Sequence, residues 1–265
     1  MEKEIFMKNK LLAGIFAILV LAALVGCKHD TDPPPPPVLV WSKVADYDAA
    51  VGDRVLGTAT AELDGTNGRY QETVLGNFIM DGIAEYARFI SGEKIDFALH
   101  NGQNLKKSSL PEGDISSSDI LGLLGTDKLY VCTFTGKQVK DVIEGFVKSN
   151  TTTTWAANCA VLVSKEVSYT IVPATTPATD PPQAAKIKVN GVDIDEEKDY
   201  RIAVGDFIGN NSNASRFFPV LANEKKTSYD PTTLAQALAQ YVLAKGTINP
   251  SDYPLGRYRG AVLPK

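Results

Sequence analysis

The chain has 265 residues and a formal charge of −4, with charged residues at 22%. Its length suits one large domain or two small ones with ample core. The mildly acidic balance removes the electrostatic case for a nucleic-acid partner.

The N-terminus reads as a processing segment. Lys3, Lys8 and Lys10 form a basic flank, and residues 11–25 are an unbroken apolar and small run, short for a membrane span. The run ends in Leu24-Val25-Gly26-Cys27. That tetrapeptide resembles the bacterial lipobox, where small residues let a peptidase cut before a lipid-modified cysteine. An ordinary signal peptide with an incidental cysteine is the alternative. On the lipobox reading, residues 1–26 are removed and lipid on Cys27 anchors an exported protein to a bacterial membrane, in the periplasm or at the cell surface. Residues 27–38 then form a tether, stiffened by five consecutive prolines at 33–37. A proline-recognition ligand is the sharper alternative for that run.

The domain is expected over residues 39–265. Residues 55–63 alternate as a strand, and Asp64-Gly65 and Asn67-Gly68 mark turns. Val74, Phe78, Ile79, Ile83, Tyr86, Ala87 and Ile90 recur at helical spacing. Glu72 and Thr73 supply the acid and capping hydroxyl at that helix's start, and Ser91-Gly92 its stop. Residues 95–99 follow as a short apolar strand. His100, Asn101, Gly102, Gln103 and Asn104 form the loop at its C-terminal end, a common place for ligand contacts in α/β folds. Residues 113–116 lead to a short helix capped by Ser117 or Ser118 and carrying Ile120, Leu121, Leu123 and Leu124.

Residues 128–134 read as a strand. Thr135-Gly136-Lys137-Gln138 open a helix with Val139, Val142, Ile143, Phe146 and Val147 on one face. Residues 151–154 are a loop, 160–163 and 166–172 are strands, and 174–183 are an insertion rich in Pro, Thr and Ala. Asn190-Gly191 sits at a hairpin turn. Residues 200–204 are a buried strand, and 232–245 an amphipathic helix. There is no internal repeat. Cys132 and Cys159 are either an exported protein's disulfide or two small buried side chains in separate strands. The fold class is mixed α/β, one domain with a mixed sheet and packed helices.

Residues 69–106 resemble the C-terminal domain of the bacterial 5'-nucleotidase and UDP-sugar hydrolase family. That family reads roughly R-x-x-E-[ST]-N-L-G-N-L-[IV]-A-D-A, then A-D-[FI]-A-L, then N-G-G-G-[IV]-R. Arg69, Glu72, Thr73, Leu75, Gly76, Asn77, Ile79 and Asp81 fall in step, as do Asp96, Phe97, Ala98, Leu99, Asn101 and Gly102. Gly113-Asp114-Ile115-Ser116 and Thr135-Gly136 match later family elements. The pattern departs at Gln103 and Asn104, which replace glycines, and at Lys106, which replaces an arginine. A family Pro-Phe pair is missing where this chain has Gly125-Thr126.

The resemblance implies a nucleoside-gripping half. In the family a separate N-terminal domain holds two divalent metals through His, Asp and Asn residues and activates water. This chain has two histidines, His29 in the tether and His100 in the expected loop, and no D-x-H or G-N-H-[DE] pattern. No cofactor, metal ligand or catalytic residue is therefore expected in it. The family sandwiches a base between two aromatic rings. The resemblance places one ring at Phe207, in a turn like the family's a-t-N-D-F, and the second near Ala156, beside Trp155 and the matching Asn158. Lys106 stands where an arginine holds the charged end, with loss of bidentate geometry. Asn213 replaces an aspartate in a loop that reads G-G-D-G-Y in the family and Asn211-Ser212-Asn213-Ala214-Ser215 here. Asn101 and Gly102 complete the candidate substrate-binding set. Each residue also has an ordinary reading: Phe207 as core, Trp155 as packing, Lys106 as a solvated charge, Asn101-Gly102 as a turn. The expected partners are a nucleoside or nucleotide, a separately encoded metallophosphatase domain and the membrane. A degenerate surface scaffold is the alternative.

Overall fold

Local signals set most element boundaries. In the computed structural model, Thr73 is extended and its hydroxyl accepts the Gly76 N–H at 3.1 Å, opening a helix that stops at Gly92 in the left-handed region, φ 63°. The described residues are 53–148, 159–175, 180, 182–210, 226–260 and 263.

In chain order the elements are β1 (Val55–Ala59), β2 (Leu63–Asp64), α1 (Val74–Ser91), β3 (Phe97–Asn101), β4 (Ser109–Leu110), β5 (Gly113–Ser116), α2 (Ser117–Leu124), β6 (Lys128–Thr135) and α3 (Gly136–Val147). There follow β7 (Val161–Val163), β8 (Val167–Val172), β9 (Gln183–Val189), β10 (Val192–Asp193), β11 (Asp199–Val204), α4 (Asp206–Gly209), β12 (Lys226–Thr233), α5 (Leu234–Lys245), β13 (Thr247–Ile248) and β14 (Tyr258–Gly260). The fold is mixed α/β.

The main sheet runs β12-β6-β11-β3-β7. Its β11–β3 pair is parallel, with Ile202 opposite Phe97 and Ala203 opposite Ala98, while its other pairs are antiparallel. A second sheet, β10-β9-β8-β14, contains the expected hairpin, turned by Asn190 and Gly191 at φ 51° and 78°. Smaller sheets join β13-β1-β5 and β2-β4. Helices α2, α3 and α5 each begin with a capping box, on Ser116, Thr135 and Thr233.

Helix α1 is the centre of the core. The spacing predicts a single apolar face, yet every residue from Leu75 to Ala84 is buried. It lies against β3 and β7 on one side and α5 on another. At the crossing, a Cβ on Gly82 would stand 2.7 Å from Leu238 Cδ1, so glycine permits the close approach. Phe78 meets Tyr253 edge-on at 5.3 Å between ring centroids. A fully buried side chain of this size contributes roughly 1.5–3 kcal/mol. A helix buried on all sides must pair its polar groups; α1 pairs the Asn77 amide nitrogen and the Asp81 carboxylate, described below, while Asn77 Oδ1 has no partner among the described residues.

Several expectations are corrected. The strand read over 95–99 runs from Phe97 to Asn101, so His100 and Asn101 are strand residues and not loop. Pairing with β7 extends it: Leu99, His100 and Asn101 face Val163, Leu162 and Val161. The cap of α2 is Ser116, and not the expected Ser117 or Ser118. Glu72 does not serve the start of α1; its carboxylate accepts the N–H groups of Gly256 and Arg257 at 2.8 and 3.0 Å. No disulfide joins Cys132 and Cys159; both are buried thiols. Strands β12, β13 and β14 lie outside every strand the periodicity suggests. Residues 1–52, including Cys27, His29 and the tether, lie outside the described residues, as do 151–158 and most of the 174–183 insertion.

Candidate functional site

Parallel pairing of β3 and β11 brings two loop starts to the same edge of the main sheet. Asn101-Gly102 leave β3 there, and Gly205-Asp206-Phe207 leave β11. The C-terminal edge of parallel strands is where α/β folds place ligands.

On the β3 side, Gly102 donates its N–H to Ala160 O at 2.9 Å, and a Cβ at that position would sit 2.7 Å from Gly68 O. Backbone crowding therefore requires this glycine. Arg69 is part of the same corner, since its carbonyl accepts the Ala160 N–H at 2.7 Å. Asn101 is 3% exposed, and its Oδ1 has no hydrogen-bond partner among the described residues. Burial pushes the Cys159 thiol up to about 11, against the opposing charge of Arg69.

On the β11 side, Gly205 admits the His100 ring. A Cβ there would lie 2.8 Å from His100 Cε1 and 2.9 Å from Leu234 Cδ1, although its φ of −89° suits any residue. His100 is 1% exposed, and neither ring nitrogen has a partner among the described residues. A buried polar group left unpaired costs about 1–3 kcal/mol. Its Nε2 stands 4.0 Å from Asp127 Oδ2, beyond direct hydrogen-bond reach. Burial, aided by the Lys106 charge, lowers the imidazole to about 4, so it is neutral at pH 7. Asp127 accepts Asn104 Nδ2 at 3.0 Å. Its carboxyl is raised, first by burial and then by the Asp206 charge, with Lys106 opposing. Asp206 is fixed by the Lys128 N–H, 3.0 Å from Oδ2. Phe207, half-buried, tilts against Phe146 with centroids 5.8 Å apart.

Four of the sequence-predicted residues are thus described. Asn101, Gly102 and Phe207 are at the edge, and Lys106 is exposed near His100 and Asp127. Trp155, Asn158 and Asn213 lie outside the described residues. Sequence reasoning missed Asp127 and Asn104 and set His100 in a loop. The departure at Gly125-Thr126, just before Asp127, was the available signal. Among the described residues no three His, Cys, Asp or Glu side chains form a metal-holding group. The donors at this edge do not fit the family's pair of divalent metals, and no metal-dependent step is assigned to them.

The motif itself performs a structural task. Asp81 pairs with Arg257, Asn77 Nδ2 donates to Pro254 O at 2.9 Å, and Glu72 holds Gly256 and Arg257. The residues that carry the resemblance on α1 therefore fasten the C-terminal segment.

Comparison with known proteins agrees with this architecture. The chain is 28% identical over 189 residues to the trifunctional nucleotide phosphoesterase protein YfkN of Bacillus subtilis, covering 68% of this chain and 12% of that protein. The 5'-nucleotidase precursor of Thermus thermophilus superposes with a TM-score of 0.62 at 23% identity, over 78% of this chain and 39% of that one. The NAD nucleotidase of Haemophilus influenzae superposes with a TM-score of 0.59 at 15% identity, over 79% and 38%. The chain thus spans about an eighth of the curated relative and well under half of either solved structure. At these identities the structural matches concern the fold alone. The family model described as "5'-nucleotidase, C-terminal domain" matches residues 55–223, and this chain belongs to that family.

Proposed function

We propose that this protein binds a nucleoside or nucleotide at the β3–β11 edge, as a lipid-anchored binding module or as the substrate-gripping partner of a separately encoded metallophosphatase. The observation that carries the reading is the convergence of Asn101-Gly102 with Asp206-Phe207 on one edge of the sheet, through the parallel pair. Lys106 supplies a positive charge for a phosphate, as a point charge without a guanidinium's fork. A ring such as Phe207 contributes on the order of 1–3 kcal/mol when a base stacks on it, whichever base it is. Trp155, Asn158 and Asn213 are proposed to complete the site. In this reading Cys27 carries the lipid, residues 1–26 are the removed signal, 27–38 are the spacer, and the exported protein is anchored to a bacterial membrane, in the periplasm or at the cell surface.

Calorimetric titration of residues 28–265 with AMP, adenosine and UDP-glucose tests the binding. Heat with at least one of them is expected, and no heat with any removes the ligand half of the reading. Phosphate release from AMP with divalent metal, with and without a metal-bearing partner, tests the accessory role; release is expected only with the partner.

A second reading, a surface scaffold without nucleotide binding, is favoured by one contact. Phe207 already packs on Phe146, as a core ring would. A titration without heat would leave that reading standing.

A further inference from the structure

At this edge the structure shows buried polar atoms that nothing among the described residues satisfies. His100 has a 1% exposed side chain whose two nitrogens have no partner among the described residues, and its Nε2 stands 4.0 Å from Asp127 Oδ2. Asp127 is 31% exposed, and only its Oδ2 is engaged, by Asn104 at 3.0 Å. Its Oδ1 has no hydrogen-bond donor among the described residues. Asp206, held by the Lys128 N–H, adds a second negative charge beside it.

We propose that this corner reads the base of the bound nucleoside by hydrogen bonds, with Asp127 as the acceptor that selects a guanine-type edge. The proposal rests on the nucleoside-binding reading above and names the ligand within it. The chemistry follows from the inventory of donors and acceptors. A carboxylate beside a second carboxylate repels phosphate and attracts N–H groups. Guanine presents a ring N–H and an exocyclic amine side by side, which a single carboxylate accepts as two parallel hydrogen bonds. Adenine presents its amine beside a ring nitrogen lone pair, and that lone pair would face the Asp127 lone pairs. Hypoxanthine keeps the ring N–H and lacks the amine. The neutral His100 ring, with a donor on one nitrogen and an acceptor on the other, meets whatever polar group enters behind the carboxylate.

The test is calorimetric titration of the protein with guanosine, inosine and adenosine, repeated on Asp127→Asn. The expected order of affinity is guanosine, then inosine, then adenosine, with about a tenfold to hundredfold spread, the discrimination typical of a bidentate contact. Asp127→Asn is expected to remove that spread, because an amide offers a donor as well as an acceptor. Adenosine bound as tightly as guanosine by the unsubstituted protein overturns the proposal and leaves nucleoside binding intact. So does an unchanged order in a folded Asp127→Asn. No heat with any of the three removes both readings. The ranking in the unsubstituted protein decides the matter even if a variant fails to fold.

Discussion

The guanidinium of Arg257 closes on the carboxylate of Asp81 across 176 positions of sequence, Nη1 to Oδ1 and Nη2 to Oδ2, both at 2.8 Å. Their side chains are 7% and 6% exposed. Nη1 also donates to Val163 O at 2.8 Å, and Asp81 Oδ1 accepts the Lys165 N–H at 2.8 Å. Burial alone raises the Asp81 carboxyl, and the guanidinium and this N–H oppose it. One ion pair thus ties α1, β7, the turn into β8 and the segment before β14 together.

Removing one partner leaves the other charge buried. Arg257→Met is expected to destabilise the fold by about 3–5 kcal/mol, read as a lower midpoint in urea unfolding. The double variant Asp81→Leu, Arg257→Met is expected to recover part of that loss, since apolar replacement removes both desolvation penalties. A single variant within 1 kcal/mol of the parent, roughly the exposed-pair range, would refute the central role of this pair.

His100 makes stability depend on pH. Its folded pKa, about 4, lies below its ordinary 6.5. Between those values the unfolded chain binds a proton that the folded chain refuses. Stability from this group is therefore fully present above pH 6.5, falls as pH drops toward 4, and levels off below. The slope is at most about 1.4 kcal/mol per pH unit. Asp127 and Lys106 are the charged groups facing the ring, with Asp206 beside Asp127. Urea unfolding at a series of pH values, compared with His100→Leu, checks the contribution; parallel curves for the two proteins would refute it.

Gly205 is required for space and not for its backbone angle. Gly205→Ala is expected to cost about 1–3 kcal/mol, because the added methyl overlaps the imidazole of His100 and the side chain of Leu234. Thermal melts of Gly205→Ala with and without His100→Ala check this. A smaller penalty in the His100→Ala background is the expected result, and equal penalties would place the clash elsewhere.

The two thiols of the domain are shielded. Cys132 and Cys159 are buried, and Cys159 is pushed up to about 11, so little thiolate forms at pH 8. Mass spectrometry after iodoacetamide treatment is expected to show both unmodified in the folded protein and both alkylated in urea. Rapid labelling without denaturant would contradict the buried positions.

How far these features were legible differs from element to element. Thr73 and Gly92 bound α1 as read, and Thr135 with Gln138 caps α3, because each signal lies within one helical turn of its consequence. The Asn190-Gly191 turn is legible for the same reason. The end of β3 was not, because β7 sets it from more than 50 positions away, a pairing no window of sequence displays. The edge residues divide likewise: Asn101, Gly102 and Phe207 were found by resemblance, whereas Asp127 and the burial of His100 depend on how β11, the loop before β6 and the start of α5 come together.

By itself, the sequence determined helices α1, α2, α3 and α5, the caps of α1 and α3, the hairpin turn and the family, all carried by contacts within a few residues or by a contiguous motif. Only the tertiary structure decided that Glu72, Asn77 and Asp81 fasten the C-terminal segment, and that a neutral imidazole lies opposite a carboxylate at the sheet edge. The reason is physical. Propensity and capping act along the chain, whereas burial and charge pairing are set by which distant segments share a volume.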